Sequence, residues 1–418
     1  LAFTAEEAVE LLRVHLDQDD TTLAASVVAA THGYALAVRA LVLAMSSRRS
    51  IPAVGSEEWR QLVATDLRAA LPDDAAARFV AATSVPPYFD AALAGHLTGR
   101  GDVDDVLAEL ERQGFGRWIP YARSHPVFQY VDSIRDAFVS ELRRVDDGRE
   151  DLRTASVTAM WLFEYGDHDT AFDMALEARD YSLATRIYVD LLRVNPECYL
   201  TDRLIGPLSS IPIRELKQHP MLAFALGLAR MTSPVLRALA PEAFALSVGT
   251  RARGVIVGPD VDRFINASVR AVSLRLIGRF ADSARSSRVA LAAAEALPVE
   301  GRDDLGEVIS MILRQLSYSL LQGGVFELAV ATMYRSAGLT KVSSTRNCAL
   351  AYATGAHAYI GELAAARAAR EQIDRRGWPI GAELSYLNAM TVIGEGFLQL
   401  DDHDFQGAWE TIAGAEAY

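Results

Sequence analysis

Apolar side chains recur every three or four positions along almost the whole chain, which is the period of amphipathic α-helices. Near the start, Thr4 and Glu7 form a capping-box pattern just before an apolar run that opens at Val9, which predicts the start of a helix. Between residues 46 and 58 the sequence SSRRSIPAVGSEE combines Ser, Gly and Pro with few large apolar residues. This stretch is the first predicted domain boundary.

From Trp59 to about Val145 the layout changes. Several short helical segments are separated by breakers such as SVPPYF, and the amphipathic segment DVDDVLAELERQGF follows. The next segment, GRWIPYARSH, contains the strand-favouring residues Trp118, Ile119 and Tyr121. Short helices, a small β-hairpin and one further helix are the layout of a winged helix.

The segment SHPVFQY, residues 124–130, contains a His-Pro pair. Pro126 suits the first position of a helix because its missing N–H would have no partner there. Apolar residues then recur at helical spacing from Val127 to Leu142. The pattern predicts a closing helix that begins at Pro126, with His125 at the N-cap position.

Downstream the chain is repetitive: a glycine or a substitute is followed two positions later by a bulky residue and five positions later by a small one. We expect the first residue to end one helix, the bulky residue to fill the wedge between two helices, and the small residue to allow close approach. The pattern predicts tetratricopeptide-like hairpins that stack into a superhelix with a concave face. The copies are Gly166/His168/Ala171, Arg179/Tyr181/Ala184, Gly278/Phe280/Ser283, Gly324/Phe326/Ala329, Gly361/Leu363/Ala366 and His403/Phe405/Ala408.

These patterns predict an all-α fold with a small β-wing, in which a winged-helix module is followed by a tetratricopeptide-like helical-repeat superhelix. The predicted domains are the helical end of a nucleotide-binding module (1–58), the winged helix (59–145), helical hairpins with a linker (146–250) and a repeat sensor domain (251–418). Polar and aromatic residues on the first helix of each repeat are candidates for a ligand or partner surface, and ordinary packing between repeats is the alternative. They are Arg270, Arg275, Arg314, Gln315, Tyr318, Tyr352, His357, Tyr386 and Asn388.

The net charge of −13 opposes nonspecific binding to nucleic acid or to an anionic membrane. Residues 250–290 are positively charged, unlike the chain as a whole, because they contain eight arginines and three acids. They form either an anion-binding patch for a carboxylate or phosphate, or an outer helix face on which arginine serves as a helix former. In the winged-helix region the closing helix carries Asp132, Asp136 and Glu141, so direct DNA binding by this module is not expected.

The sequence shows no recognisable chemistry of catalysis. It contains no P-loop, dinucleotide-binding, nucleophile-elbow or zinc-protease motif. The segments YGDHD and DDHD fall at turns of the repeat pattern, so we interpret them as solvated turn residues and expect no metal site. Cys198 and Cys348 have no Cys or His neighbour at metal-ligand spacing. We expect a cytoplasmic protein without a membrane span and without enzyme activity of its own.

Several stretches resemble the middle of large bacterial LuxR-type transcriptional regulators of the signal-transduction ATPase (STAND) class, the group that includes the maltose regulator. They occur in the order typical of that family and cover roughly residues 1–190. The family often has Gly-Trp where this chain has Gly33-Tyr34. The matching stretches are LAFTAEEAVELL, ATHGYALAVRAL, LAELERQGF, SHPVFQY and WLFEYGDHDTAFDMALEARDYSLATRI.

The resemblance implies a longer protein in which each domain has a separate function. An N-terminal P-loop module binds ATP or ADP, the winged helix folds over the nucleotide, the helical repeats sense an inducer, and a C-terminal helix-turn-helix binds promoters after self-association. By this resemblance His125 senses the nucleotide phosphates in the resting ADP state. The P-loop and DNA-binding parts are absent from this sequence. The chain is therefore expected to be a sensing and autoinhibitory fragment with no cofactor of its own, which binds a small-molecule inducer or a protein partner.

A second hypothesis is a protein-interaction scaffold that binds a peptide or a partner protein along the concave groove. Peptide binding predicts an extended polar groove, whereas small-molecule sensing predicts a closed pocket with a few convergent polar groups.

Overall fold

The computed structural model describes residues 3–31, 71–121, 126–145, 149–194, 202–249, 258–373 and 389–414, with isolated positions between 31 and 71. The chain divides into two compact units, Leu1–Asp180 and Tyr181–Tyr418. In the described ranges both units are mainly helical, and no helix there is long and apolar enough to cross a membrane.

The first unit begins as the sequence predicts. Thr4 N–H donates to Glu7 Oε2 at 2.8 Å, and Glu7 N–H donates to Thr4 Oγ1 at 3.2 Å, so the predicted capping box is confirmed. In the ranges that the structure describes, the helices of this unit are α1 Ala5–Leu16, α2 Thr21–Thr31, α3 Asp74–Thr83, α4 Ala91–Thr98, α5 Val103–Gln113, α6 Asp132–Val145, α7 Arg149–Tyr165 and α8 His168–Glu177, and the strands are β1 Gly116–Ile119 and β2 Val127–Tyr130.

Strands β1 and β2 pair antiparallel, with Gly116 opposite Tyr130 and Ile119 opposite Val127. Phe89 adds a one-residue bridge to Phe128, in which each backbone N–H donates to the other residue's carbonyl, at 3.1 and 2.7 Å. The bridge does not extend into a third strand, because Pro86 and Pro87 precede it and cannot donate to a ladder, and because Asp90 already caps α4. The helix, strand and wing order is that of a winged helix.

The closing helix of this module begins at Asp132 and not at Pro126. Val127, Phe128 and Tyr130 lie in strand β2, and their side chains are buried. The sequence of a strand that is covered on both faces is a nearly continuous apolar run. Periodicity alone does not distinguish such a run from a buried helix. The N-cap interpretation of His125 is therefore wrong, and His125 itself lies outside the described residues.

The second unit is built from helices that follow one another as hairpins. Short turns of 3₁₀-helix lie at Asp202–Leu204 and Arg237–Leu239. The helices among the described residues are α9 Tyr181–Val194, α10 Ile205–Ser209, α11 Ile213–Leu216, α12 Pro220–Thr232, α13 Ala240–Val248, α14 Pro259–Leu276, α15 Phe280–Glu295, α16 Val299–Leu305, α17 Val308–Gln322, α18 Phe326–Leu339, α19 Ser343–Tyr359, α20 Leu363–Glu371, α21 Ala389–Asp401 and α22 Phe405–Ala413.

Every first residue of the repeat signature lies in the left-handed backbone region. In each turn the following N–H also bonds to the carbonyl five residues earlier, as from Arg279 to Leu274 at 2.8 Å. This is a Schellman motif, and it ends the first helix as predicted. The φ values are 89° for Gly166, 56° for Arg179, 79° for Gly278, 75° for Gly324, 84° for Gly361 and 63° for His403.

The other two signature positions behave differently from each other. The small residues Ser283, Ala329 and Ala366 are fully buried, which confirms their predicted role in close helix approach. The bulky residues Phe280, Phe326 and Phe405 keep 43%, 38% and 66% of their surface exposed. For these three the wedge prediction is wrong, because the first residue of the second helix lies at the outer end of the hairpin. The small residue, one turn further on, faces the partner helix.

The turn geometry predicts opposite effects for two glycine-to-alanine changes. Neither Gly324 nor Gly338 has an atom within 4 Å of where a Cβ would lie, but Gly324 has a φ of 75° and Gly338 is helical. We expect Gly324→Ala to lower the free energy of unfolding by about 1 kcal/mol, and Gly338→Ala to raise it by about 0.5 kcal/mol. Denaturant unfolding of both variants measures this, and equal effects would contradict the proposed role of the turn.

Candidate functional site

Candidate residues predicted from the sequence meet on the first helices of three consecutive hairpins, α14, α17 and α19. We call this group the arginine–tyrosine cluster. Its members are Arg275, Arg314, Gln315, Tyr318 and Tyr352.

Arg275 lies in the last turn of α14 and reaches across to α17. Its Cζ is 4.7 Å from the centroid of the Tyr318 ring. Its Nη2 donates to Gln315 Oε1 at 2.6 Å, and its Nη1 donates to the Gln315 carbonyl oxygen at 3.2 Å. The planar guanidinium can stack on a ring and donate in its own plane at once, which lysine cannot do.

A second arginine repeats this stacking one helix further. Arg314 Cζ lies 5.8 Å from the centroid of the Tyr352 ring, and the rings of Tyr318 and Tyr352 meet edge to face at 5.4 Å. Such cation–π contacts contribute about 0.5–2 kcal/mol each, more when they are shielded from water. The cluster therefore links three repeats through stacked side chains.

The cluster has a buried part and a part that solvent reaches. Arg275, Arg314 and Tyr352 keep only 7%, 5% and 1% of their surface exposed. Gln315 and Tyr318 are half-buried. Solvent therefore reaches the cluster at Gln315 and Tyr318.

Local sequence explains this placement. Gly278 ends α14 and leaves Arg275 in its last turn, while Arg314 and Tyr318 lie four residues apart, and so on one face of α17. Small residues surround Tyr352 in α19, as in CALAYATGAHA. They allow neighbouring helices to come close.

Of the remaining sequence candidates, the two that the structure describes, Arg270 and His357, do not join this group. Arg270 is exposed, and its Nη1 donates to the Val248 carbonyl oxygen. Tyr386 and Asn388 lie outside the described residues, as does His125. His357 is buried elsewhere in α19.

Within the arginine-rich segment, several side chains have acidic neighbours on the same helix. Arg263 lies 3.5 Å from Asp260, and Arg279 and Arg285 both pair with Asp282. The two Asp282 pairs hold the pKa of that carboxyl below its usual range. Arg251 and Arg253 lie outside the described residues. Local pairing of this kind is typical of an outer helix face.

Three polar side chains, Tyr334, His357 and Glu362, form a hydrogen-bonded group that was not predicted from the sequence pattern. His357 Nδ1 lies 2.7 Å from Glu362 Oε2, and its Nε2 lies 3.2 Å from the Tyr334 hydroxyl oxygen. An ionised carboxylate only accepts, so Nδ1–H donates to Glu362, and in the neutral imidazole the Tyr334 hydroxyl donates to Nε2. Burial and the nearby Glu362 raise the pKa of Tyr334. The contact between His357 and Glu362 could have been predicted from sequence, because a Schellman turn brings residues five positions apart together.

Residues 67–150 match the sequence model of the MalT winged helix domain. Over these residues the chain is therefore similar to that winged helix domain. The match confirms the resemblance inferred from the sequence over these residues. It also confirms the predicted fold class, an all-α chain with a small β-wing in which a winged helix precedes helical hairpins.

Further comparisons add a distant structural likeness. No curated protein matches the chain. Among solved structures, the chain is similar to a signal transduction ATPase with numerous domains (STAND) protein with a tetratricopeptide repeat sensor from Pyrococcus horikoshii. The TM-score is 0.48 and the identity 10%, over 99% of this chain and 59% of the other. This chain thus spans about 59% of the length of that structure.

Stacking in the cluster predicts how Tyr318 responds to substitution. We expect Tyr318→Leu to lower the free energy of unfolding by about 1 kcal/mol, because the ring that faces Arg275 is lost. Tyr318→Phe keeps the ring and is expected to stay within about 0.5 kcal/mol of the unsubstituted chain. Chemical denaturation measures both, and equal losses would show that stacking is not what stabilises the cluster.

Proposed function

We propose that this chain is the sensing and autoinhibitory region of a LuxR-type, ATP-dependent transcriptional regulator, with an inducer bound at the arginine–tyrosine cluster. The observation that carries the proposal is the cluster itself, in which five side chains predicted from sequence meet across three repeats. The MalT-type winged helix at residues 67–150 supports the same class of regulator.

The chemistry of the cluster favours a small polar ligand. Gln315 and Tyr318, the half-buried members of the cluster, carry an amide and a hydroxyl, and the buried ring of Tyr352 packs edge to face on Tyr318. A few convergent polar groups on an aromatic base are typical of a specific ligand site. A ligand held there would contact more than one hairpin and favour one arrangement of the repeats over another.

A thermal-shift screen of the chain against metabolites, followed by calorimetry of the hits, tests this proposal. We expect Gln315→Ala to weaken binding of the best hit about tenfold, the loss typical of one hydrogen bond to a ligand. Arg263→Gln is the matched control, since Arg263 belongs to the same arginine-rich segment but pairs with Asp260 outside the cluster. A hit whose affinity falls in the control and not in Gln315→Ala would contradict the site.

The role of His125 is a separate proposal that rests on the resemblance. In a protein that also carries the P-loop module, we expect His125→Ala to reduce retention of ADP and to raise basal promoter activity. Nucleotide analysis of the purified protein and a reporter assay measure the two effects. Wild-type ADP occupancy together with wild-type basal activity would remove this role.

A second candidate function is protein binding, which a different observation favours. Phe405, Trp409 and Ile412 lie at helical spacing on α22, and all three are exposed. Exposed aromatic residues in a row are typical of protein-binding surfaces. If only peptides or proteins stabilise the chain, and Trp409→Ala abolishes that effect, the scaffold function replaces the sensor.

A further inference from the structure

Asp167, in the turn between α7 and α8, holds two tyrosine hydroxyls that come from the winged helix. The Tyr121 hydroxyl donates to Asp167 Oδ2 at 2.8 Å, and the Tyr88 hydroxyl donates to the same oxygen. The two hydroxyl oxygens are 2.7 Å apart. The other carboxylate oxygen, Oδ1, accepts from Thr170 N–H at 3.1 Å and caps α8. Both oxygens of Asp167 are thus in use.

Charge makes this contact stronger than a neutral one. Burial raises the pKa of Asp167, but hydrogen bonds from Tyr88, Tyr121 and Thr170 outweigh it, so the net pKa is lowered and the carboxylate is ionised near neutral pH. Burial also raises the pKa of both tyrosines, which keep their protons. The three oxygen–oxygen contacts share two protons, since each phenol has one to give. An acceptor at Asp167 is therefore what both hydroxyls require.

Aromatic packing surrounds these hydrogen bonds. The rings of Tyr88 and Tyr121 lie 4.7 Å apart, and the rings of Trp161 and Tyr165 stack at 4.7 Å. Tyr121 meets Tyr165 at 5.8 Å, and Tyr88 meets Trp161 at 6.4 Å. We call these four aromatic residues, together with Asp167, the wing joint.

The wing joint connects the sheet to the hairpin at two places. Tyr88 directly precedes Phe89, the residue that bridges to β2, and Tyr121 follows β1 by two residues. Trp161 and Tyr165 belong to α7. A shift of the α7–α8 turn would therefore act on two places in the wing sheet, the bridge between Phe89 and β2 and the end of β1.

We propose that Asp167 is a positioning residue, which couples the first helical hairpin, α7–α8, to the strands of the wing through the hydroxyls of Tyr88 and Tyr121. When the hairpin turn moves away, the two hydroxyls lose their shared acceptor and the strand ends loosen. As a route between sensor and winged helix, this coupling rests on the function proposed above. The coupling itself is measured in the absence of ligand and nucleotide.

Asp167→Asn tests the coupling in the whole chain by hydrogen exchange. Asparagine caps helices as well as aspartate does, but it places an amide N–H₂ where the tyrosines need an acceptor. Asp404→Asn is the matched control, because Asp404 caps α22 from the same position of the repeat signature, accepting from Gly407 N–H at 2.9 Å. We expect amides of β1 and β2 to exchange about tenfold faster in Asp167→Asn and unchanged in Asp404→Asn, as for loss of a hydrogen bond to a charged group.

The readout separates coupling from simple helix capping. If Asp167 acts through the hydroxyls, Asp167→Asn adds little in a background that already carries Tyr88→Phe and Tyr121→Phe. Unchanged exchange in β1 and β2, or equal and additive effects in that background, would overturn the proposal. A failed ligand screen would leave both results untouched, so the two proposals fail separately.

A milder variant covers the case in which Asp167→Asn speeds exchange throughout the chain. Tyr121→Phe removes one hydroxyl and keeps the ring that packs on Tyr88 and Tyr165. Faster exchange confined to β1, β2 and the first turn of α8 would support the coupling. Exchange at the wild-type rate in those segments would overturn it.

Discussion

The repeats depend on one backbone conformation, the left-handed residue that ends the first helix of each hairpin. It lets the next N–H reach the carbonyl five residues back, so the chain reverses within a few residues and the second helix packs on the first. Glycine adopts this conformation without strain, and where Arg179 and His403 replace it the chain still follows the same path, with φ of 56° and 63°. Packing of the hairpin thus overrides the preference of the residue.

The same turns place the side chains of the proposed sites. Arg275 stands three residues before Gly278, so the end of α14 carries its guanidinium to the face of Tyr318 on α17. Asp167 follows Gly166 directly, so the turn between α7 and α8 presents a carboxylate to Tyr88 and Tyr121. Glu362 follows Gly361 and reaches back to His357. A turn that caps two helices therefore also delivers a charged group at a fixed place.

The features that could be predicted from sequence are those that local sequence patterns determine. The left-handed residue of each turn and the buried small residue five positions later follow from the repeat signature, and the members of the arginine–tyrosine cluster lie on the first helices of the predicted hairpins. Strand β2 was mistaken for a helix because V-F-Q-Y is buried on both faces and carries no alternation. The wing joint was missed because Tyr88 and Asp167 are 79 residues apart in the chain. No periodicity within either segment indicates that contact.

The arginine–tyrosine cluster is the place where we propose that a ligand acts. The most direct test of this proposal is hydrogen exchange of the whole chain with and without a stabilising metabolite. We expect protection concentrated in α14, α17 and α19, the three helices that supply the cluster. Protection confined to α22, or to the winged helix, would contradict it.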